Sequence, residues 1–387
     1  MFQNKLRKVL AVSVLMAVMA GCSSSKPAAE TAPAATPAKE PIKIGVVTSL
    51  TGANAATGVQ VSTGAKLAIK EWNAKGGIQG QQIEVLVEDD QSNPTGATNA
   101  FNKIAAAKPA GMVLPTFAPF VMALEPAVRQ LGVPSLTSAT GVAITKQGNP
   151  WFFRTRTNDE IMGKIAANFA ADELKTKKPG LLYANNDYGK GGFGVIKATL
   201  EAKGIPLAAT ETFNQGDKDM TAQLLNLKKA GVDLIIVWSI PADSATIAVQ
   251  QKQLGLGVQI LGSPGWGTKE FFDLAKGAAD GQYGLVDYAG GSTDRIKAWE
   301  KAVDENFKGI PASFVTGAAY DGTNIMLSAM NKVGTDPAKV REAMAATQNY
   351  DGIIGSFSFD KEGNGLRQAV IFKIENNAIK VVKTMKE

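Results

Sequence analysis

The chain has 387 residues, no histidine and a single cysteine, Cys22, and it carries a formal net charge of +6. The absence of histidine removes the usual general base near neutral pH and the commonest metal ligand, and one cysteine allows neither a disulfide nor a cysteine metal site. Basic residues are spread along the chain rather than grouped with aromatic residues, which argues against a nucleic-acid-binding groove.

The first 21 residues have the pattern of a secretory signal peptide. Three basic residues precede an apolar run from Val9 to Ala20, which is shorter than the ~20 residues needed to span a bilayer. Met19 to Cys22 resembles the bacterial lipobox, in which the cysteine sulfur is lipidated before cleavage. We expect residues 1–21 to be removed and Cys22 to be lipidated; an ordinary signal peptide with an incidental cysteine is the alternative. Removal leaves 38 basic and 35 acidic residues, a net charge of +3.

Residues 22–41 are predicted to form a flexible linker behind the lipid. Ser, Ala, Pro, Thr, Lys and Glu make up the segment from Ser23 to Pro41, which has no aromatic residue and no apolar periodicity. At ~3 Å per residue, such a tether reaches about 50 to 60 Å. We therefore expect a protein that meets a membrane only through its anchor and faces the periplasm or the cell exterior.

From Ile42 onward, β-rich runs alternate with amphipathic helical stretches, which predicts parallel sheets covered by helices. The first unit is a strand over Ile42–Thr48, a loop over Leu50–Gly58, and a helix that ends near Asn73. In such sheets ligands bind beyond the carboxyl ends of the strands. Further strands are predicted at Ile83–Glu88, Gly111–Leu114, Gly180–Ala184, Asp233–Trp238 and Val258–Leu261.

Two later features have a structural interpretation. The acidic run Glu88 to Asp90 lacks the spacing of a calcium loop and is predicted to be a solvated turn before the helix that begins at Pro94, so no metal is expected. Gln368–Ile374 and Ala378–Lys383 flank Asn376-Asn377 and predict a hairpin on the edge of a sheet.

One glycine motif matches a dinucleotide fingerprint. Gly189 to Gly194 reads Gly-x-Gly-x-x-Gly, follows a predicted strand and has Glu211 about 20 residues further on. However, Asn185 to Tyr188 separates the strand from the glycines, whereas the first glycine of a fingerprint makes the turn itself. We favour a strand-to-helix turn that presents Tyr188, and we expect no cofactor; nucleotide binding remains the alternative.

A series of motifs resembles the leucine/isoleucine/valine-binding protein family of ABC importers. Each motif is weak alone, but their shared order and spacing cover Ile42 to Glu387. The motifs are Ile42–Thr48 with Leu50-Thr51-Gly52, Asn73–Gly80, Glu88–Asp90, Ser138–Thr140, Asn186–Gly189, Gly216–Asp219 and Tyr320-Asp321.

The resemblance implies an α/β type I periplasmic-binding-protein fold, in which two Rossmann-like lobes are joined by three hinge crossovers and hold a ligand between them. The crossovers would lie near 157–159, 287–289 and 366–368. Lobe one would then comprise residues 42–158 plus 288–365, and lobe two residues 159–287 plus 366–387.

The resemblance also implies a ligand anchor at Ser138, Ala139 and Thr140. In this family the α-carboxylate of the ligand is held by backbone N–H groups and hydroxyls at a helix N-terminus, where unpaired donors and the helix dipole favour an anion. Capping of a turn is the alternative role for Ser138 and Thr140.

Departures from the family pattern bear on the ligand. The carboxylate that neutralises a ligand ammonium in relatives aligns with Pro264, and an unpaired buried ammonium costs several kcal/mol. We therefore expect a carboxylate or amide without an α-ammonium, unless Asp187 or Asp321 supplies the missing charge.

Other implied pocket positions carry changed residue types. Relatives have a serine at the position of Phe117, an aromatic residue at that of Thr57 and a tyrosine at that of Ser239. Tyr188 has the same residue type as in relatives. Trp238 and Trp266 follow strands of the second lobe. We expect Trp266, which lies between glycines, to line the pocket, and Trp238 either to line it or to pack in the core.

The implied function is an extracytoplasmic solute-binding lipoprotein that passes a small amino acid, or a related and possibly aromatic carboxylate or amide, to ABC permease and ATPase subunits. It is expected to act as a monomer without catalytic turnover. A ligand-sensing subunit for a membrane receptor is the alternative.

Overall fold

The computed structural model describes residues 40–291 and 293–387. The predicted signal peptide, linker and Cys22 lie outside these residues, apart from the last two linker positions. Within them, strands and helices alternate over most of the length. The strands are β1 Ile42–Thr48, β2 Ile83–Asp89, β3 Gly111–Val113, β4 Ser135–Thr137, β5 Phe152–Arg154, β6 Pro179–Ala184, β7 Ala209–Phe213, β8 Leu234–Trp238, β9 Gln259–Gly262, β10 Tyr283–Val286, β11 Tyr350–Asp351, β12 Ser356–Phe357, β13 Gln368–Glu375 and β14 Ala378–Lys386.

The helices cover both faces of the two larger sheets. A 3-10 turn over Pro264–Gly267 follows β9. In the part of the chain that the structure describes, no helix is both long and apolar enough to cross a bilayer. The α-helices are α1 Ala55–Ala74, α2 Pro94–Ala106, α3 Ala118–Leu131, α4 Ala143–Lys146, α5 Asp159–Asp172, α6 Asp187–Ala202, α7 Thr221–Lys229, α8 Pro241–Gln253, α9 Lys269–Ala275, α10 Asp294–Asn306, α11 Phe314–Val333 and α12 Pro337–Ala345.

The first sheet has five parallel strands in the order β2-β1-β3-β4-β5. Strand β1, which lies between β2 and β3, is mostly apolar because both of its faces are covered. Val46 belongs to the core formed with α1 and α11, whereas the next residue, Val47, belongs to the core formed with α2 and α3. The carboxyl ends of β1, β3 and β4 therefore meet at one edge of this sheet.

The second sheet has seven strands in the order β14-β13-β10-β9-β8-β6-β7. The five strands from β10 to β7 are parallel, and β13 and β14 pair antiparallel at one end. Asn376 and Asn377, with φ of 53° and 57°, make the two-residue turn between β13 and β14. The predicted hairpin is thus confirmed.

Three segments that run between the two sheets lie side by side. The Thr157 N–H donates to Asp287 Oδ1 at 3.2 Å, and the Thr157 hydroxyl donates to the carbonyl oxygen of Gln368 at 2.6 Å. Arg156 Nε donates to Asp287 Oδ2 at 2.6 Å. Arg156, Thr157 and Asp287 are all buried, so the three segments form one polar junction away from bulk solvent.

Two local predictions are wrong. The first helix begins at Ala55, inside the predicted loop, which places Thr57 and Gly58 in its first turn. The acidic run is not a solvated turn, because Asp90 is fully buried and accepts hydrogen bonds from Ser49 Oγ at 2.6 Å and from the Ser92 N–H at 2.8 Å. The hydrogen bond between Asp90 and Ser49 joins the loop after β2 to the loop after β1.

The glycine motif lies inside α6 rather than in a turn before it. Asn186 caps this helix by accepting from the Gly189 N–H at 2.9 Å. A Cβ atom at Gly189 would lie 1.9 Å from the carbonyl oxygen of Ala184, and one at Gly192 would lie 2.4 Å from the Trp238 ring. Close packing of α6 on the second sheet therefore accounts for these two glycines.

Candidate functional site

Loops at the edge of the first sheet bring several predicted site residues together. The Thr116 hydroxyl donates to the carbonyl oxygen of Ser138 at 3.3 Å, and the Thr137 hydroxyl donates to that of Pro115 at 2.9 Å. These bonds join the loops after β3 and β4. Phe117, the half-buried N-cap residue of α3, directly follows the residue that is bonded to Ser138.

Residues 138–141, here called the anchor loop, follow β4. The Ala139 N–H donates to the Thr137 hydroxyl at 3.0 Å. Ser138 is 4% exposed, and its hydroxyl has no hydrogen-bond partner among the described residues. Thr140 is half-buried. The loop thus presents a desolvated hydroxyl without a partner, as an anchor for a small polar ligand would.

A second group of predicted residues lies at the edge of the second sheet. Tyr188, in the first turn of α6, is half-buried, and its ring lies 6.0 Å from that of Trp238. Burial raises the pKa of the Tyr188 hydroxyl, and the nearby Asp159 carboxylate adds to this effect, whereas a hydrogen bond with Ser263 opposes it. Tyr188 therefore stays a neutral hydroxyl and can donate to a ligand.

Two other predicted residues at this edge, Ser239 and Trp238, are enclosed. The Ser239 hydroxyl bonds to that of Ser244 at 2.7 Å and has no exposed surface. Trp238 is fully buried in the core with α5 and α6. Its indole N–H has no partner among the described residues.

Trp266 is more enclosed than its neighbouring glycines predicted. Its flanking glycines predicted little core around it, yet Trp266 has no exposed surface and its ring lies 4.7 Å from that of Phe271. A Cβ atom at Gly262 would lie 2.0 Å from the Trp266 ring. The glycine in β9 therefore makes room for the indole to lie on the sheet.

Sequence reasoning missed Asp159 as a site residue. The Asp159 N–H donates to the carbonyl oxygen of Thr140 at 3.1 Å. Burial raises the pKa of its carboxyl group to about 6, even though the Thr140 hydroxyl donates to it and the Arg154 and Arg156 charges act in the opposite direction. Asp159 begins α5, which packs in one core cluster with Tyr188 of α6, and its charge raises the pKa of the Tyr188 hydroxyl.

Neither Asp187 nor Asp321, the acids considered as partners for a ligand ammonium, lies beside the anchor loop as Asp159 does. Both carboxylate oxygens of Asp321 accept backbone N–H groups, from Ile353 at 2.8 Å and Ile354 at 2.9 Å, inside the first core. Asp187 is exposed in the first turn of α6. Pro264 lies in the 3-10 turn after β9, as its loop position predicted.

The described residues contain no candidate metal site. No set of three or more acidic, histidine or cysteine side chains there could hold a metal ion.

Comparison with known proteins places this geometry in a family. The family model described as "Periplasmic binding protein" matches residues 41–378. The chain belongs to this family. The fold expected from the sequence, with two α/β lobes of the type I class, is confirmed by the model and by solved relatives.

Relatives of known name cover most of the chain. The leucine-, isoleucine-, valine-, threonine- and alanine-binding protein of Pseudomonas aeruginosa is 30% identical over 329 residues, which span 84% of this chain and 88% of that protein. The branched-chain amino acid transporter substrate-binding protein LivJ of Streptococcus pneumoniae, solved with isoleucine, is 27% identical with a TM-score of 0.79, and the match covers 90% of this chain and all of that one. These matches confirm the predicted resemblance.

A more distant relative shares the fold alone. The solute-binding protein of an ABC transporter from R. palustris, solved with benzoate, is 20% identical with a TM-score of 0.75, and the match covers 89% of this chain and 96% of that one.

Proposed function

We propose that the protein is the extracytoplasmic substrate-binding subunit of an ABC importer of the branched-chain amino acid type and that it captures a small aliphatic amino acid. The observation that carries this proposal is the hydrogen bond that joins Asp159 to the anchor loop at the start of α5, the helix that packs beside the one carrying Tyr188. The names of the relatives from Pseudomonas aeruginosa and Streptococcus pneumoniae support the ligand class.

The ligand would lie between a lobe of residues 42–158 plus 288–365 and a lobe of residues 159–287 plus 366–387. The polar junction at Thr157, Asp287 and Gln368 supports these boundaries, because all three predicted crossovers meet there. A ligand that touches both lobes binds the closed arrangement only and shifts the population toward it.

In this proposal, Ser138, Ala139 and Thr140 hold the ligand carboxylate, and Asp159 holds its ammonium. The Thr140 hydroxyl, which has a single O–H donor, would turn from Asp159 to the ligand carboxylate on binding. Thr57, Phe117 and Tyr188 would contact the ligand side chain. Ser239, Trp238 and Trp266 would form the enclosed wall behind that pocket, without a polar contact to the ligand.

A second candidate ligand is a carboxylate without an ammonium, such as an aromatic acid. The presence of Pro264 at the position of the family's ammonium partner favours it. In that case Asp159, with its raised pKa, would bind in the protonated form and donate a hydrogen bond to the ligand carboxylate.

The cellular setting is also part of the proposal. Cys22 would carry the lipid, residues 22–41 would act as the tether, and the protein would work as a monomer with membrane permease and ATPase subunits. It would release its ligand unchanged. A sensory subunit would share the fold and the site, and the presence of neighbouring permease and ATPase genes would favour the transport role.

The proposal is tested by a thermal-shift screen of aliphatic amino acids, benzoates and small amides, followed by calorimetry on those that raise the melting temperature. We expect leucine, isoleucine or valine to bind, the recovered ligand to be unmodified, and small-angle scattering to show a smaller radius of gyration with ligand. If none of the compounds binds, or if the ligand is chemically converted, the proposed function is wrong.

A further inference from the structure

We propose that Arg154 is the positioning residue that holds the anchor loop in its ligand-binding shape. The inference rests on the proposed function, because it concerns the same site. Arg154 is the last residue of β5, and it has no exposed surface. It contacts the anchor loop from within the protein, so its role differs from that of a ligand-contacting residue.

The guanidinium group is bonded to two consecutive carbonyl groups of the anchor loop. Nη1 donates to the carbonyl oxygen of Thr140 at 2.8 Å, and Nη2 donates to that of Gly141 at 2.7 Å. In a planar trans peptide the C=O and N–H groups point in opposite directions. The amide N–H groups of Gly141 and Val142 therefore point away from Arg154, and their orientation is set by this residue.

Arg154 also connects the anchor loop to the segment before the third predicted crossover. Its N–H donates to the carbonyl oxygen of Gly363 at 2.8 Å, and its carbonyl oxygen accepts from the Gly365 N–H at 3.0 Å. Arg154 Nη2 lies 3.4 Å from the Thr145 hydroxyl, which donates to Asn364 Oδ1 at 3.2 Å. A shift of residues 363–365 would thus be transmitted to the anchor loop.

The charge of Arg154 acts on the same site. Burial lowers its pKa to about 10, so the guanidinium stays protonated at neutral pH, and Asp159, Asp360 and Glu362 support that charge. In turn, Arg154 and Arg156 lower the pKa of Asp159, while Asp287 raises it. Replacing Arg154 with a neutral residue should therefore raise the pKa of Asp159.

The role of Arg154 is tested with Arg154→Met and Arg154→Lys, and with Arg129→Met as a control that removes the same charge from an exposed side chain of α3. The first readout is amide hydrogen exchange of residues 138–145 without ligand. The second is the dissociation constant for L-isoleucine between pH 4.5 and 8. Thermal melting checks that each variant folds.

We expect faster exchange of the anchor loop, binding weaker by about tenfold or more, and a higher pH midpoint of binding in Arg154→Met. Arg154→Lys keeps the charge but has a single donor nitrogen. Its pH midpoint of binding should therefore equal that of the wild type, and its affinity should lie between those of Arg154→Met and the wild type. Arg129→Met should match the wild type. If Arg154→Met does not fold, the test rests on Arg154→Lys, in which the amide hydrogens of the anchor loop should exchange faster than in the wild type.

The inference would be overturned if the anchor loop of the Arg154 variants exchanged its amide hydrogens at the wild-type rate. It would also be overturned if both the dissociation constant and the pH midpoint of binding were unchanged. Failure of the proposed function gives a different result. In that case the wild type would bind neither isoleucine nor any other compound of the screen, while the exchange measurement would still decide whether Arg154 holds the loop.

Discussion

The backbone N–H of Asp159 lies 3.1 Å from the carbonyl oxygen of Thr140, to which it donates a hydrogen bond. This contact fixes the start of α5 against the loop after β4. It brings a carboxyl group next to the hydroxyl that is expected to hold a ligand carboxylate. In the proposed function, Thr140 would bind the carboxylate of an α-amino acid and the adjacent Asp159 would bind its ammonium.

Asp159→Asn should weaken isoleucine binding by about tenfold to hundredfold, because a charge-assisted hydrogen bond to the ligand ammonium is lost. The backbone bond to Thr140 is unaffected by this change. Calorimetry would measure the effect, with Asp187→Asn as the control at an exposed acid of α6. Equal isoleucine affinities in wild type and Asp159→Asn would show that Asp159 does not hold the ligand ammonium.

The affinity for isoleucine should fall as the pH decreases below about 6, the pKa to which burial raises Asp159. Only the ionised carboxyl can balance an ammonium, so each pH unit below the pKa reduces the apparent affinity by up to about tenfold. Titration calorimetry between pH 4.5 and 8 would show the decline, which Asp159→Asn should abolish. An affinity that instead rises toward acid pH would indicate that protonated Asp159 donates to a carboxylate ligand.

Thr140→Ala should weaken ligand binding by about tenfold to hundredfold through loss of its hydroxyl donor. Thr140→Ser keeps the hydroxyl and serves as the matched control, with affinity close to the wild type. Both dissociation constants can be measured by calorimetry with the same ligand. Equal losses in the two variants would show that the methyl group, not the hydroxyl, matters.

Asp287→Ala should lower the free energy of unfolding by roughly 3 to 5 kcal/mol, because it leaves the Arg156 guanidinium buried without its partner. Arg156 is 8% exposed and Asp287 is 1% exposed. Urea denaturation would measure the loss. Asp273→Ala removes an exposed pair with Lys269 and should change stability little; similar losses in both variants would contradict the importance of the junction.

Cys22→Ser should abolish lipid attachment, since the serine oxygen is not a substrate for the lipid transfer that a lipobox directs. The variant should appear as an uncleaved or soluble protein in cell fractions. Mass spectrometry and membrane partitioning would check this. A processed variant that still fractionates with membranes would exclude the lipid anchor.

Strands were easier to predict than helix starts, for a physical reason. β1 covers the predicted residues Ile42–Thr48 because a strand buried on both faces is rich in apolar residues, and Lys43 is the one charged residue of β1. The start of α1 at Ala55 was missed, since its residues are small and Asn54 makes no side-chain capping bond. Neither periodicity nor a cap marked that boundary.

The site was only partly predictable. Ser138 and Thr140 were assigned through their match to the family motif, and they lie directly after β4. Asp159 could not be assigned, because Asn158 caps α5 by accepting from the Ile161 N–H at 2.8 Å, and an acid after such a cap is typical of any helix start. Its proximity to Thr140 depends on a tertiary contact that no local pattern records.

The antiparallel pairing of β13 with β10 also governs the order in which the protein can be assembled. For a chain that emerges amino-terminus first, residues 42–154 supply every strand of the first sheet, whereas the second sheet waits for residues 368–386. Such long-range pairing makes folding slow relative to local contacts. In the proposed function, a chain whose strands β13 and β14 have not yet joined the second sheet has an incomplete lobe, so ligand capture would wait for residues 368–386.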